Sequence, residues 1–253
     1  LLTVTAPPRF AEYVRAYDPT DPKVRLKIDH TYRVAALCEQ IARSIPLTEE
    51  QTDHAWLAGL LHDVGRFEQL RRYGTFEDAK SIDHAACSRK SFFCRDTSVT
   101  IWTTTAAMSA AHRRALAQCY RLPEDLDPDT LRLCHILRDA DKIDILRVNV
   151  ETPLEEIYNV TTEALRTAAV TPEVLEAFYA HHAVLRSLKR SPVDNVVGHA
   201  SLVYELVFPE SLREVNRQAT CGSCWFETRN PDTARTFAGL RQHMHAWLEE
   251  AAR

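Results

Sequence analysis

HAWLAGLLHDVGRFEQ, residues 54–69, decides how this chain is read. Trp56, Leu57, Leu60 and Leu61 make the first part almost wholly apolar, which predicts a buried helix rather than one with a solvated face. Thr48, with Gln51 three residues on, forms a capping box ahead of it, so the helix is expected to run from there to about Asp63. It ends by projecting an imidazole and a carboxylate side by side, His62 and Asp63. Burying a carboxylate is costly unless a cation or hydrogen-bond donors compensate it, and a divalent metal would do so. Gly65 can take the left-handed conformation that stops a helix, which would put Arg66 at the rim of the same centre. A lone His-Asp dipeptide is more often a hydrogen bond at a helix end than a pair of ligands. The weight therefore falls on what surrounds it.

Outward from this stretch, helix signals recur. Val34, Leu37, Ile41 and Ile45 fall at helical spacing behind His30, predicting an amphipathic helix that His30 begins. Asp127-Pro128, Thr171-Pro172 and Asn230-Pro231 each place a capping residue before a proline suited to the first helical position. SVTIWTTT, residues 98–105, is rich in β-branched residues and fits a strand better. YGTFEDAKS, residues 73–81, reads as a loop. A soft boundary falls near Val150, before Pro153 and Asn159 interrupt the pattern, with no linker long enough to demand two independent domains. The expectation is one all-α domain over residues 1–253.

Composition excludes several classes. The chain has 253 residues, 45% of them hydrophobic and 26% charged, enough for a sizeable core. Its 6 glycines include no GxGxxG or GxxxxGK[ST] loop, which argues against Rossmann and P-loop nucleotide sites. A formal net charge of -4, without a long basic block, gives no electrostatic reason to bind nucleic acid. No apolar run is long enough to span a bilayer, and LLTVTAPPRF lacks the basic and apolar regions of a secretory signal, so a cytoplasmic protein without a membrane partner is expected. The 7 scattered cysteines are expected to be reduced. Cys221 and Cys224 resemble half a zinc site, but no second such pair follows, and His243 and His245 are too closely spaced to complete one.

His30, then His62-Asp63, then His84 in SIDHA, His112, and Asp141 in RDADKID form an ordered series. Together with LLHDVGRFEQ and ILRDADKID, this series resembles the HD-domain superfamily of metal-dependent phosphohydrolases over roughly residues 25–147, leaving a helical C-terminal extension from about 150 to 253. The resemblance implies an HD-type helical bundle. It also implies one metal held by His30, His62, Asp63 and Asp141, and a second added by His84 and His112, with Asp63 bridging. The approach to His112 is Thr-rich and lengthened relative to that pattern. Imidazole and carboxylate donors without thiolate suit divalent Fe, Mn, Co, Ni or Zn, and availability rather than affinity decides among them.

Periodicity bears on which aspartate of RDADKID binds. Leu133, Leu137, Ala140, Asp141 and Asp144 share one helical face by three-and-four spacing, whereas Asp139 falls with His135 and Lys142. Asp144 is then a candidate to orient a ligand histidine or a solvated charge. Two cations bridged by Asp63 would generate a hydroxide at neutral pH and hold a phosphoryl oxygen. Arg66 has a planar, permanently charged fork for a phosphate oxygen, and Lys142 is a second candidate. The implied substrate is a phosphate ester, a nucleotide or another small phosphorylated metabolite. The same ligands serve di-iron oxygenases of the superfamily, and a nucleotide-sensing module without catalysis is a third reading.

Overall fold

The computed structural model describes residues 2–76, 122, 125–158 and 160–251. Every extended element among them is helical and none is a strand, so the described part of the chain is all-α. SVTIWTTT, His84 and His112 lie outside the described residues. No described helix is long and apolar enough to cross a membrane. The chain divides into two compact units, Leu1–Ala140 and Asp141–Arg253.

The first unit is built on α1 (Leu2–Val14), α2 (Pro22–Arg43), α3 (Glu49–Leu61) and α4 (Val64–Tyr73). Asp21 starts α2, its side chain accepting the Lys23 N–H at 2.8 Å, with Pro22 in the first turn. His30 therefore sits in the middle of α2 instead of beginning it. The Asp21-Pro22 signal is the same one that predicts three helix starts further along.

Helix α3 opens with the expected capping box, Thr48 Oγ1 accepting from Gln51 N and Gln51 Oε1 from Thr48 N. Every residue from Ala55 to Leu61 is buried, each large side chain contributing about 1.5–3 kcal/mol by leaving water. Gly59 is where α3 meets α2, since a Cβ there would lie 2.6 Å from Ala35 Cα and 2.9 Å from Ala35 N. Phe10 of α1, with Tyr13 and Tyr17, closes over Phe67 of α4, and the Tyr13 hydroxyl donates to Val64 O at 2.9 Å.

The break after α3 comes at His62-Asp63 itself. Gly65 is buried inside α4, and the left-handed glycine is Gly74, φ 65°, whose N–H caps Leu70 O. Tyr73 thus ends a helix where the sequence suggested the start of a loop.

Helix α5 (Pro128–Glu151) starts at the predicted cap, Asp127 accepting from Thr130 N at 2.9 Å, and runs unbroken across the division between the units. The second unit continues with α6 (Leu154–Tyr158), α7 (Thr162–Thr167), α8 (Pro172–Tyr179), α9 (Asp194–Ala200), α10 (Pro209–Gln218), α11 (Thr220–Ser223) and α12 (Pro231–Ala251). Two 3₁₀ turns, Arg186–Leu188 and Ser201–Glu205, flank α9. Proline opens α8 and α12 as expected. Asn230 Oδ1 caps α12, whereas the Thr171 hydroxyl instead donates to Asp194, 2.6 Å away. Buried Asp194 also accepts from Thr171 N, Arg190 N and Ser191 N, tying three segments to one carboxylate. Phe178, Val197, Val215, Leu240 and Met244 fill this unit's core. Cys38, Cys134 and Cys224 are buried and not disulfide-bonded.

Candidate metal centre

The close approach at Gly59 positions the first two donors. With α3 lying on α2, His62 at the end of α3 faces His30 in mid-α2, and their Nε2 atoms come within 3.2 Å. Both rings are buried. His62 Nδ1 lies 2.6 Å from Gly59 O. A carbonyl only accepts, so Nδ1 carries the hydrogen and the neutral ring keeps its Nε2 lone pair for the partner. Gly59 thus both admits α2 and sets the tautomer of His62.

Asp141 is on the continuous α5, one residue past Ala140. Its carboxylate and the ring nitrogens of His30 and His62 lie within 4.8 Å of one another. An ion about 2.1 Å from each of two imidazole nitrogens would set them about 3.0 to 3.4 Å apart. The His30–His62 spacing fits, and so does a set of two nitrogens and an oxygen for a divalent transition metal. His30, His62 and Asp141 can bind a metal ion.

Asp63 is buried beside this trio, its Oδ2 3.6 Å from His30 Nε2 and 3.5 Å from His62 Nε2. A closer partner is Lys27, one turn before His30, whose Nζ lies 2.6 Å from the same oxygen. Burial pushes the Asp63 carboxyl up, but the basic groups around it, Lys27 foremost and then His62, Arg66 and His30, outweigh it and hold the group well below the usual carboxylate range. The carboxylate thus has a counter-ion from the chain itself, where the sequence alone pointed to a metal for that purpose. Lys27 is the neighbour that sequence reasoning missed. Its position three residues before His30 puts it on the same face of α2 but does not by itself distinguish a paired lysine from a solvated one.

Arg66, in the first turn of α4, brings its Nε to 3.7 Å from Asp63 Oδ1. Its Nη1 donates to Gln69 Oε1 at 2.9 Å and to Phe76 O at 2.7 Å, which fixes the plane of the guanidinium. Lys142 is buried and pairs with Glu205 at 2.7 Å, an arrangement that accounts for its charge without a substrate. On α5 the expected faces do not separate. Asp139 and Asp144 are both buried, while Asp141 is half-buried, because this helix is covered on more than one side.

No curated protein and no solved structure matches the chain. The family model of the HD domain matches residues 28–146, opening two residues before His30 and closing beyond Asp141, so that it contains the whole trio. Over residues 28–146 the chain matches the HD domain, consistent with the HD-domain superfamily.

Proposed function

We propose that the chain is a metal-dependent phosphohydrolase that cleaves a phosphate ester, either a nucleotide or a small phosphorylated metabolite. The observation that carries the reading is the mutual approach of His30, His62 and Asp141, within 4.8 Å, inside the HD-domain span. A divalent transition metal in this set supplies Lewis acidity, which eases deprotonation of water and draws charge from a phosphoryl oxygen.

The chain's own groups do the rest. His62, with Nδ1–H committed to Gly59 O, offers Nε2 without reorganising. Asp63, held ionised at neutral pH, accepts a hydrogen bond from the attacking water and orients it. Arg66, braced by Gln69 and Phe76 O, presents a planar cation to a non-bridging phosphate oxygen. His84 and His112 are the donors for a second ion.

The test is phosphate release from a panel of nucleotides, other monoesters and diesters. The protein is stripped of metal and then given Mn, Fe, Co, Ni or Zn, with and without O2. Metal-dependent, O2-independent release is expected, together with an Arg66→Ala variant that keeps its metal but loses kcat/KM. Turnover that requires O2 would make the protein an oxygenase, and no release with any metal would overturn the proposal.

A further inference from the structure

Lys27 reaches the centre from its rim. Its side chain is 18% exposed against 3% for Asp63, and its Nζ also stands over the Phe76 ring, 5.3 Å from the centroid. Asp63 Oδ2 therefore has two imidazole nitrogens at 3.5 and 3.6 Å and a lysine ammonium at 2.6 Å. A cation held by His30 and His62 and the cation at the end of Lys27 draw on the same negative oxygen. Like charges a few ångströms apart in a buried site repel each other strongly, so each weakens the other's hold on Asp63.

We propose that Lys27 is a tethered competitor of the metal at Asp63, an affinity-setting residue that keeps the buried carboxylate compensated and makes metal loading reversible. The inference rests on the metal-centre reading above. Removing the lysine charge acts twice in the same direction. The repulsion against the ion disappears, and the stripped protein is left with a buried carboxylate that has lost its nearest counter-charge and gains more from the ion. Metal binding tightens while the stripped fold weakens. A lysine that merely packs against Phe76 would give the second effect without the first.

The experiment compares parent, Lys27→Met and Lys27→Arg, all stripped of metal. Each is titrated with Zn or Co against a chromophoric chelator and melted with and without the ion. Lys27→Met is expected to bind roughly tenfold more tightly or better, to melt below the parent when stripped, and to gain more in Tm from the ion. Lys27→Arg should stay near the parent. Placed on Asp63→Asn, Lys27→Met should tighten binding by less than it does in the parent, because the direct repulsion is relieved in both but competition for a charged oxygen only in the parent. Lys27→Gln is read in the same way if Lys27→Met does not fold. Unchanged or weaker affinity without the lysine charge overturns the inference while leaving the metal centre standing. A parent that binds no ion overturns the metal-centre reading and this inference together.

Discussion

Among the described residues two pairs of histidines meet Nε2 to Nε2, one pair in each unit. His30 and His62 are buried, 3.2 Å apart, with the carboxylates of Asp63 and Asp141 beside them. His181 and His243 are half-buried and 2.8 Å apart, with their rings stacked at 5.0 Å. Around the second pair stand aromatic rings, Tyr204 4.9 Å and Trp247 5.8 Å from His181, and Tyr179 4.9 Å from His243. Among the described residues no third His, Cys, Asp or Glu completes a ligand set there. A spacing of 2.8 Å is that of an N–H···N hydrogen bond, shorter than one ion between two imidazoles allows. Burial, followed by the imidazoles of His243 and His182, pushes the His181 pKa down, which favours its neutral form. The difference teaches that an imidazole pair becomes an ion site through the anions around it.

The largest expected effect breaks the first pair. His62→Ala should abolish stoichiometric metal and lower phosphate release by roughly a thousandfold or more, beyond the 10- to 100-fold typical of residues that only orient a ligand. Elemental analysis and a phosphate assay read both. Full metal content with parental turnover would remove His62 from the centre.

Gly59→Ala attacks the same pair through packing. Alanine is better than glycine in a helix by about 1 kcal/mol, but a Cβ 2.6 Å from Ala35 Cα forces the backbones apart. Overpacking of this kind costs about 1–3 kcal/mol and should win, lowering Tm and weakening metal binding together. A variant as stable as the parent, with unchanged affinity, would show that the α2–α3 approach does not set the His30–His62 spacing.

His199 sharpens the contrast with a histidine kept neutral by burial. It lies 2.8 Å from Asn149 Oδ1 and 3.1 Å from the Tyr158 hydroxyl, and burial, with Lys189 behind it, pushes it down to about 3 from 6.5. Between those values the unfolded chain binds a proton that the folded chain does not, so stability should fall as pH drops from 6.5 toward 3. Denaturant melts across that range should show a shallower loss for His199→Gln. Parallel pH profiles would contradict the assignment.

The smallest effect belongs to the second pair. A His181→Ala, His243→Ala double variant should keep the parental metal content and phosphate release. Loss of one equivalent of metal would make that pair an ion site and erase the contrast.

Much of this was legible in the sequence, for identifiable reasons. The run from Ala55 to Leu61 is buried throughout, as its apolar character requires, and the Thr48, Asp127 and Asn230 caps form as their side chains dictate. The His30, His62 and Asp141 juxtaposition is visible only as spacing and needs the α2–α3 contact to become geometry. Lys27 was missed because a lysine one turn from a histidine looks the same in sequence whether it is solvated or paired. Gly65 misled because a glycine near a helix break need not be the residue that turns, and here Gly74 takes the positive φ. Periodicity failed on α5 because a helix covered on several sides buries Asp139 as completely as its apolar stripe. His84 and His112 lie outside the described residues.

The most direct test of the central claim is X-ray absorption at the metal edge of the protein loaded with one equivalent of Zn or Co, compared with His62→Ala treated in the same way. The account predicts two imidazole nitrogens and oxygen donors without sulfur in the parent, and loss of one imidazole, or of the metal altogether, in the variant. A sulfur ligand, an all-oxygen shell, or a spectrum unchanged by His62→Ala would contradict a centre built on His30, His62 and Asp141.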